Sequence, residues 1–143
     1  IIIRALRFAN IDIQALLHED LKMNPSRYKT IKRPNTNLDH RRVRNLKYWF
    51  DTYTISLSKK SPRNNNHDWL SGDIVLLDTG VNNGTIYDHI GIVSDLKSNG
   101  RPAVINLWAV GSKTNHMDLL DGRYPKIVGH YRFKHIYNYT VLP

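Results

Sequence analysis

A chain of 143 residues, 41% hydrophobic and 23% charged, suits one folded unit around one core. It has no cysteine, which excludes disulfides and thiolate metal sites within it, and no apolar run approaches membrane-spanning length. The formal net charge of +9 favours acidic partners. The cations are scattered, however, with the tightest cluster at Arg41-Arg42-Val43-Arg44, so a solvated basic surface is the default reading.

The first third predicts helices. Ile2, Ile3, Leu6 and Ala9 share one face at helical spacing. No Ser, Thr, Asp or Asn precedes Ile1 as a cap, so the opening reads as the middle of a helix and the chain as the C-terminal piece of a longer protein. Asn10-Ile11-Asp12 predicts a break and a new cap, after which Ile13, Leu16, Leu17 and Leu21 continue a second amphipathic helix ended by Asn24-Pro25-Ser26. Tyr28 to Leu38 reads as a basic loop. Asp39 is then a candidate cap for a third helix with Val43, Leu46, Trp49, Phe50 and Tyr53 on one face. Ser58 to His67 is polar and predicts a surface loop within the same domain.

From Trp69 onward the pattern changes. Asp73 to Leu77, His89 to Ser94, Pro102 to Trp108 and Ile127 to Phe133 are short apolar or β-branched runs separated by Gly and Asn clusters. No helical segment intervenes between the middle runs, which predicts an antiparallel sheet and an α+β fold, helices first and strands after. Lys97-Ser98-Asn99-Gly100 predicts a hairpin turn; if Asp95 sits opposite Gly100, His89 falls opposite Asn106. Such partners bring their side chains within about 5 Å, so Asn106 can orient the imidazole. A base held by an orienting polar group is what nucleophilic catalysis requires, although a lone histidine at a strand start is more often structural.

The wider pattern weighs in favour of a site. Trp69-Leu70-Ser71-Gly72-Asp73-Ile74-Val75 followed by His89-Ile90-Gly91-Ile92-Val93-Ser94-Asp95 resembles the NlpC/p60 and CHAP groups of papain-like hydrolases. Arg4-Ala5-Leu6-Arg7, Ile11-Asp12-Ile13-Gln14, His18-Glu19-Asp20-Leu21-Lys22, Lys32-Arg33-Pro34, Asn37-Leu38-Asp39-His40-Arg41-Arg42-Val43 and Gly129-His130-Tyr131-Arg132 resemble domain-of-unknown-function family 1287 over almost the whole chain.

That resemblance implies a papain-like fold over residues 1–143, N-terminal helices packed on a small antiparallel sheet, and a bacterial periplasmic or envelope setting. It implies His89 as catalytic base and Asn106 as the third, orienting residue; this chain reads Asn106-Leu107 where the family often reads His-Asn. The family's first helix opens with Cys-Thr-Asp, an apolar run and Arg-Ala, so the nucleophilic cysteine is expected about one turn before Ile1, outside this chain, where helix-start N–H groups would stabilise the oxyanion. The chain by itself is then expected to be inactive.

Asp39, His40, Arg41 and Arg42 are candidate anion ligands at a helix start, and His130, alternating with Arg132, is a candidate cleft residue. Asp73 is expected to bond backbone where its strand begins. Trp49, Trp69 and Trp108 are expected in the core. His18, His67, His116 and His135 have no partner pattern, and no zinc spacing occurs, so neither a metal nor another cofactor is expected. The function that follows is a cysteine-type amide hydrolase acting on a peptide or cell-wall fragment, with no nucleic acid expected as partner. The rival reading is a non-catalytic module binding an anionic polymer through Lys29 to Arg44.

Overall fold

The computed structural model describes residues 1–62, 68–109 and 111–134. Helix α1 (Ile2–Phe8) buries Ile2 and Leu6. Asn10 takes a left-handed conformation (φ 61°) at the break, a backbone state that Asn tolerates. Asp12 then caps α2 (Ile13–Met23), accepting from the N–H groups of Gln14 and Ala15, as the sequence predicts. The third helix departs from expectation. Residues Asp39–Arg41 form a separate 3-10 turn, and α3 (Val43–Tyr53) begins after it with no side-chain cap. The Asp39 carboxylate accepts from the N–H of Asn35 instead, closing the basic loop before it reaches the helix.

Among the described residues six antiparallel strands follow: β1 (Ile55–Ser56), β2 (Ile74–Asp78), β3 (His89–Ser98), β4 (Arg101–Asn106), β5 (Asn115–Met117) and β6 (Lys126–Arg132). Their order in the sheet is β1-β6-β2-β3-β4-β5. The fold is α+β, with the helices on one face of the sheet. Ile74, Leu76 and Tyr131 meet Leu17, Leu46, Trp49 and Phe50 on that face. Val75, Leu77, Val93 and Val104 pack with Trp69, Leu119 and Leu120 on the other. Strand β2 is therefore covered on both sides, which is why it reads as an unbroken apolar run rather than an alternating one. The short strands β1 and β5 carry no periodic signal at two and three residues and form by pairing with longer neighbours. Among the described residues no helix is long and apolar enough to cross a membrane.

Two buried carboxylates pin this arrangement. Asp20, on α2, accepts from Asn24 Nδ2, the Arg27 guanidinium, Tyr28 O–H and Tyr53 O–H, so one side chain ties α2 to the following 3-10 turn and to α3. Asp73, one residue before β2, accepts from Leu70 N at 2.9 Å, His130 Nε2 at 2.8 Å and Arg132 Nε at 2.7 Å. Its backbone carbonyl also accepts from Val93 N at 2.8 Å. Burial raises both carboxyls toward the neutral form. The hydrogen bonds, from Arg27 and the two tyrosines to Asp20 and from His130, Arg132 and Leu70 N to Asp73, outweigh it and hold both below the ordinary range.

Two outcomes are expected. Asp20→Asn, which removes the ion pair and turns an acceptor into a donor facing Arg27, should cost about 3 kcal/mol in urea denaturation. The folded-state values of Asp20 and Asp73 lie below the unfolded value of about 3.9, so their stabilisation is complete above that pH and is lost as pH falls through the folded values. Melting temperature against pH should therefore drop below about pH 4, with a shallower slope in Asp73→Asn.

Candidate functional site

His89 is the first residue of β3 and lies opposite Leu77, the penultimate residue of β2. The ten-residue loop before it, 79–88, is closed at its base: Asp88 accepts from Thr79 N and from Thr79 Oγ1, both at 3.0 Å. Loop closure thus places the strand start rather than leaving His89 at the end of a free segment.

The β3–β4 hairpin is tighter than the sequence suggests. Ser98 pairs with Arg101 across a two-residue turn, with Asn99 at φ 51° and Gly100 at φ 76°. This is the twist-matched Asn-Gly turn favoured in hairpins. Between Val93 and Lys97 the register shifts, and Ser94 Oγ accepts from Leu96 N within the irregularity. Beyond it Ile92 pairs with Ile105, so counting on puts Asn106 beside Gly91 rather than His89. The expected register is therefore off by two residues. An even slip preserves the face, because side chains alternate with period two.

The His89–Asn106 contact consequently runs diagonally. His89 Nε2 is 3.1 Å from Asn106 Oδ1. Gly91 stands beside it and makes room for Val104: a Cβ there would sit 2.2 Å from Val104 Cγ1, against an ordinary 3.5 Å from Asn106 Cβ. Asn106 is fully buried and its Nδ2 donates to Val104 O at 3.1 Å, which orients its Oδ1 toward the imidazole. An acceptor opposite Nε2 requires Nε2–H, leaving Nδ1 with the lone pair in the neutral ring. Trp108 packs edge-on against the ring at 5.0 Å, so this tryptophan lines the site, whereas Trp49 and Trp69 are core.

His89 opens into a cavity of about 150 Å³ shared with Ile1, Ile2, Val43, Asp88 and Leu107. The amino end of α1 therefore lies at the histidine. Val43 and Asp88 also line an adjoining groove of about 300 Å³ with Arg41, Arg42, Arg44 and Tyr87. The basic segment is thus a wall of the same cleft.

Not every expected residue reaches it. Asp39 and His40 are buried; His40 Nδ1 faces Thr36 O at 2.9 Å, and the Asp39 carbonyl accepts from Asn45. Both hold the loop that carries Arg41, and neither lines the cleft. His130 is corrected likewise. It is 1% exposed, its ring nitrogens face Asp73 and Ser58 O, and it stacks on Trp69 with centroids 3.7 Å apart. It is part of the clamp at β2. Asp73 bonds Leu70 N as expected, but its pairing with His130 and Arg132, four strands' worth of sequence away, has no local signal. His18 and His116 contact Thr36 and Ser94, while His67 and His135 lie outside the described residues.

The family model for Domain of unknown function (DUF1287) matches residues 1–133, a span that includes every residue of this cleft. The chain belongs to the DUF1287 family. It is 40% identical over 141 residues to the uncharacterized protein YijF of Escherichia coli strain K12, a match that covers 93% of this chain and 62% of that protein. The chain thus spans under two thirds of the length of that relative. No solved structure matches it. Among the described residues of this DUF1287 domain, no group of three or more His, Asp or Glu is placed to hold a metal ion.

Gly91 tests whether the diagonal contact depends on backbone space. Gly91→Ala should force Val104 to move and cost about 1–3 kcal/mol, as overpacking does. In the same variant the His89 ring resonances should shift, because Asn106 moves with its strand. A variant with wild-type melting temperature and unshifted His89 resonances would show that Gly91 has no such role.

Proposed function

We propose that the protein carrying this chain is a cysteine-type amide hydrolase of the papain-like kind, with His89 as base and Asn106 as the residue that positions it. The observation supporting this reading is the meeting of a polar pair and the amino end of α1 at one cavity: His89, bonded to Asn106, lines it together with Ile1 and Ile2. The resemblance to papain-like hydrolases implies a thiol on residues leading into α1, and a thiol there would face His89 Nδ1, the nitrogen that Asn106 leaves unprotonated.

In that mechanism Nδ1 takes the thiol proton and the thiolate attacks the amide carbonyl. The imidazolium returns the proton to the leaving amine as the C–N bond breaks, giving a thioester. Water, deprotonated by the same nitrogen, then hydrolyses the thioester and regenerates the thiol. Asn106 keeps the Nε2–H bond throughout, so the ring needs no reorientation between steps. The bacterial envelope setting and a cell-wall peptide as substrate belong to this same proposal.

The test uses the full-length parent protein, assayed on peptide amides. His89→Ala should lower kcat by about 10²–10⁴-fold, the usual contribution of a general base. Asn106→Ala should act through His89, lowering kcat and displacing the pH profile that His89→Ala abolishes, and the losses should not add in the double variant. Thiol alkylation should inactivate the wild type. Activity that survives alkylation, or that survives in His89→Ala, overturns the hydrolase reading and favours the anionic-polymer binding module.

A further inference from the structure

The groove beside His89 has a chemical character that the hydrolase reading does not itself require. Arg41, Arg42 and Arg44 line it together, and among the described residues none of them forms an ion pair. Elsewhere the chain pairs its arginines where a carboxylate is close: Arg27 with Asp20, Arg101 with Asp118, and Arg132 with Asp73. The acid lining the groove, Asp88, has both oxygens engaged by Thr79.

The facing loop also presents donors. Asn83 Oδ1 accepts from Thr85 N, and Thr85 Oγ1 accepts from Tyr87 N. What each has left for a ligand is the Asn83 NH₂ and the Thr85 O–H. Guanidinium groups on one wall and neutral donors on the other complement an anion, and planar guanidinium forks match a carboxylate in particular.

We infer that this cleft takes an acidic peptide, with a carboxylate flanking the scissile amide held in the groove by Arg41, Arg42 and Arg44. The placement follows from geometry. The groove and the His89 cavity share Val43 and Asp88, so a peptide can place a side chain in the first and a neighbouring carbonyl in the second. The groove's volume of about 300 Å³ suits one or two side chains, not the long track that a polyanion would use. The inference rests on the hydrolase reading for the bond that is cut, but not for the binding of the carboxylate.

The experiment separates the two. Full-length protein carrying His89→Ala is titrated calorimetrically with N-acetyl-Ala-Glu-Ala amide and with the same peptide bearing Gln in place of Glu. The Glu peptide should bind at least tenfold more tightly at low salt, and raised salt should narrow the difference. Adding Arg41→Gln and Arg44→Gln, both surface changes, should bring the two peptides to within about twofold of each other, while the Lys versions should retain part of the preference because charge persists without the fork. Equal affinity for the two peptides, failure of either to bind, or a preference that survives the Gln pair would overturn the inference. So would inorganic polyphosphate binding through these arginines with no discrimination between the peptides, an outcome that instead supports a polymer-binding module. If His89→Ala still cleaves while the Glu preference stands, the hydrolase mechanism fails and the carboxylate site remains.

Discussion

The buried carboxylate of Asp73 holds the position on which the rest of the sheet depends. It stands at the entrance to β2, the strand covered on both faces, and its side chain takes hydrogen bonds from a turn on one side and from β6 on the other. Its backbone carbonyl fixes β3 through Val93 N. A charge so deeply buried is tolerated because each donor is in place; removing one leaves the others facing an uncompensated ion. From this anchored end β2 runs to Leu77, and His89 is set opposite Leu77 by the same ladder. The site is thus built at the far end of a strand pair whose register is fixed at its beginning.

At that far end, small differences in side-chain volume decide what touches what. Gly91 lacks the Cβ that would collide with Val104, the residue whose carbonyl holds Asn106. Asn106 is locked by Val104 O, so the orientation of the imidazole is set by a backbone group two residues before it on β4. An imidazole whose tautomer is fixed in this way is held in one orientation, which is what the proposed role as a base requires. The irregularity in β3 brings this about by moving the register an even number of residues.

Charge is distributed unevenly between core and cleft. The buried acids Asp20 and Asp73 each take an arginine, Arg27 and Arg132, and these pairs tie helix to helix and strand to strand. The arginines between residues 41 and 44 stand outside these pairings and face the groove. Asp39 and His40, which precede them in the chain, serve the backbone of the loop that presents them. One short basic segment therefore divides into residues that shape a loop and residues that give the cleft its sign.

The helices, the four longer strands, the antiparallel arrangement and the α+β class were legible because each has a local cause: helical spacing of apolar residues, the Asp12 cap, and β-branched runs between turn residues. His89 and Asn106 were legible as a pair because the pleat conserves face under an even slip, so a register wrong by two still joined them. The strands β1 and β5 were not, since two or three residues carry no period and pair only because a neighbour's edge is present. The roles of His130, Asp20 and Asp39 were equally hidden. His130 alternates with Arg132 as a cleft residue would, and only the packing of Trp69 and the approach of Asp73 show that its ring is enclosed. Local sequence determines which elements form and which faces they bury; the choice between a buried clamp and an open ligand is made by partners distant in the chain, because desolvation and hydrogen bonding depend on what the fold brings alongside.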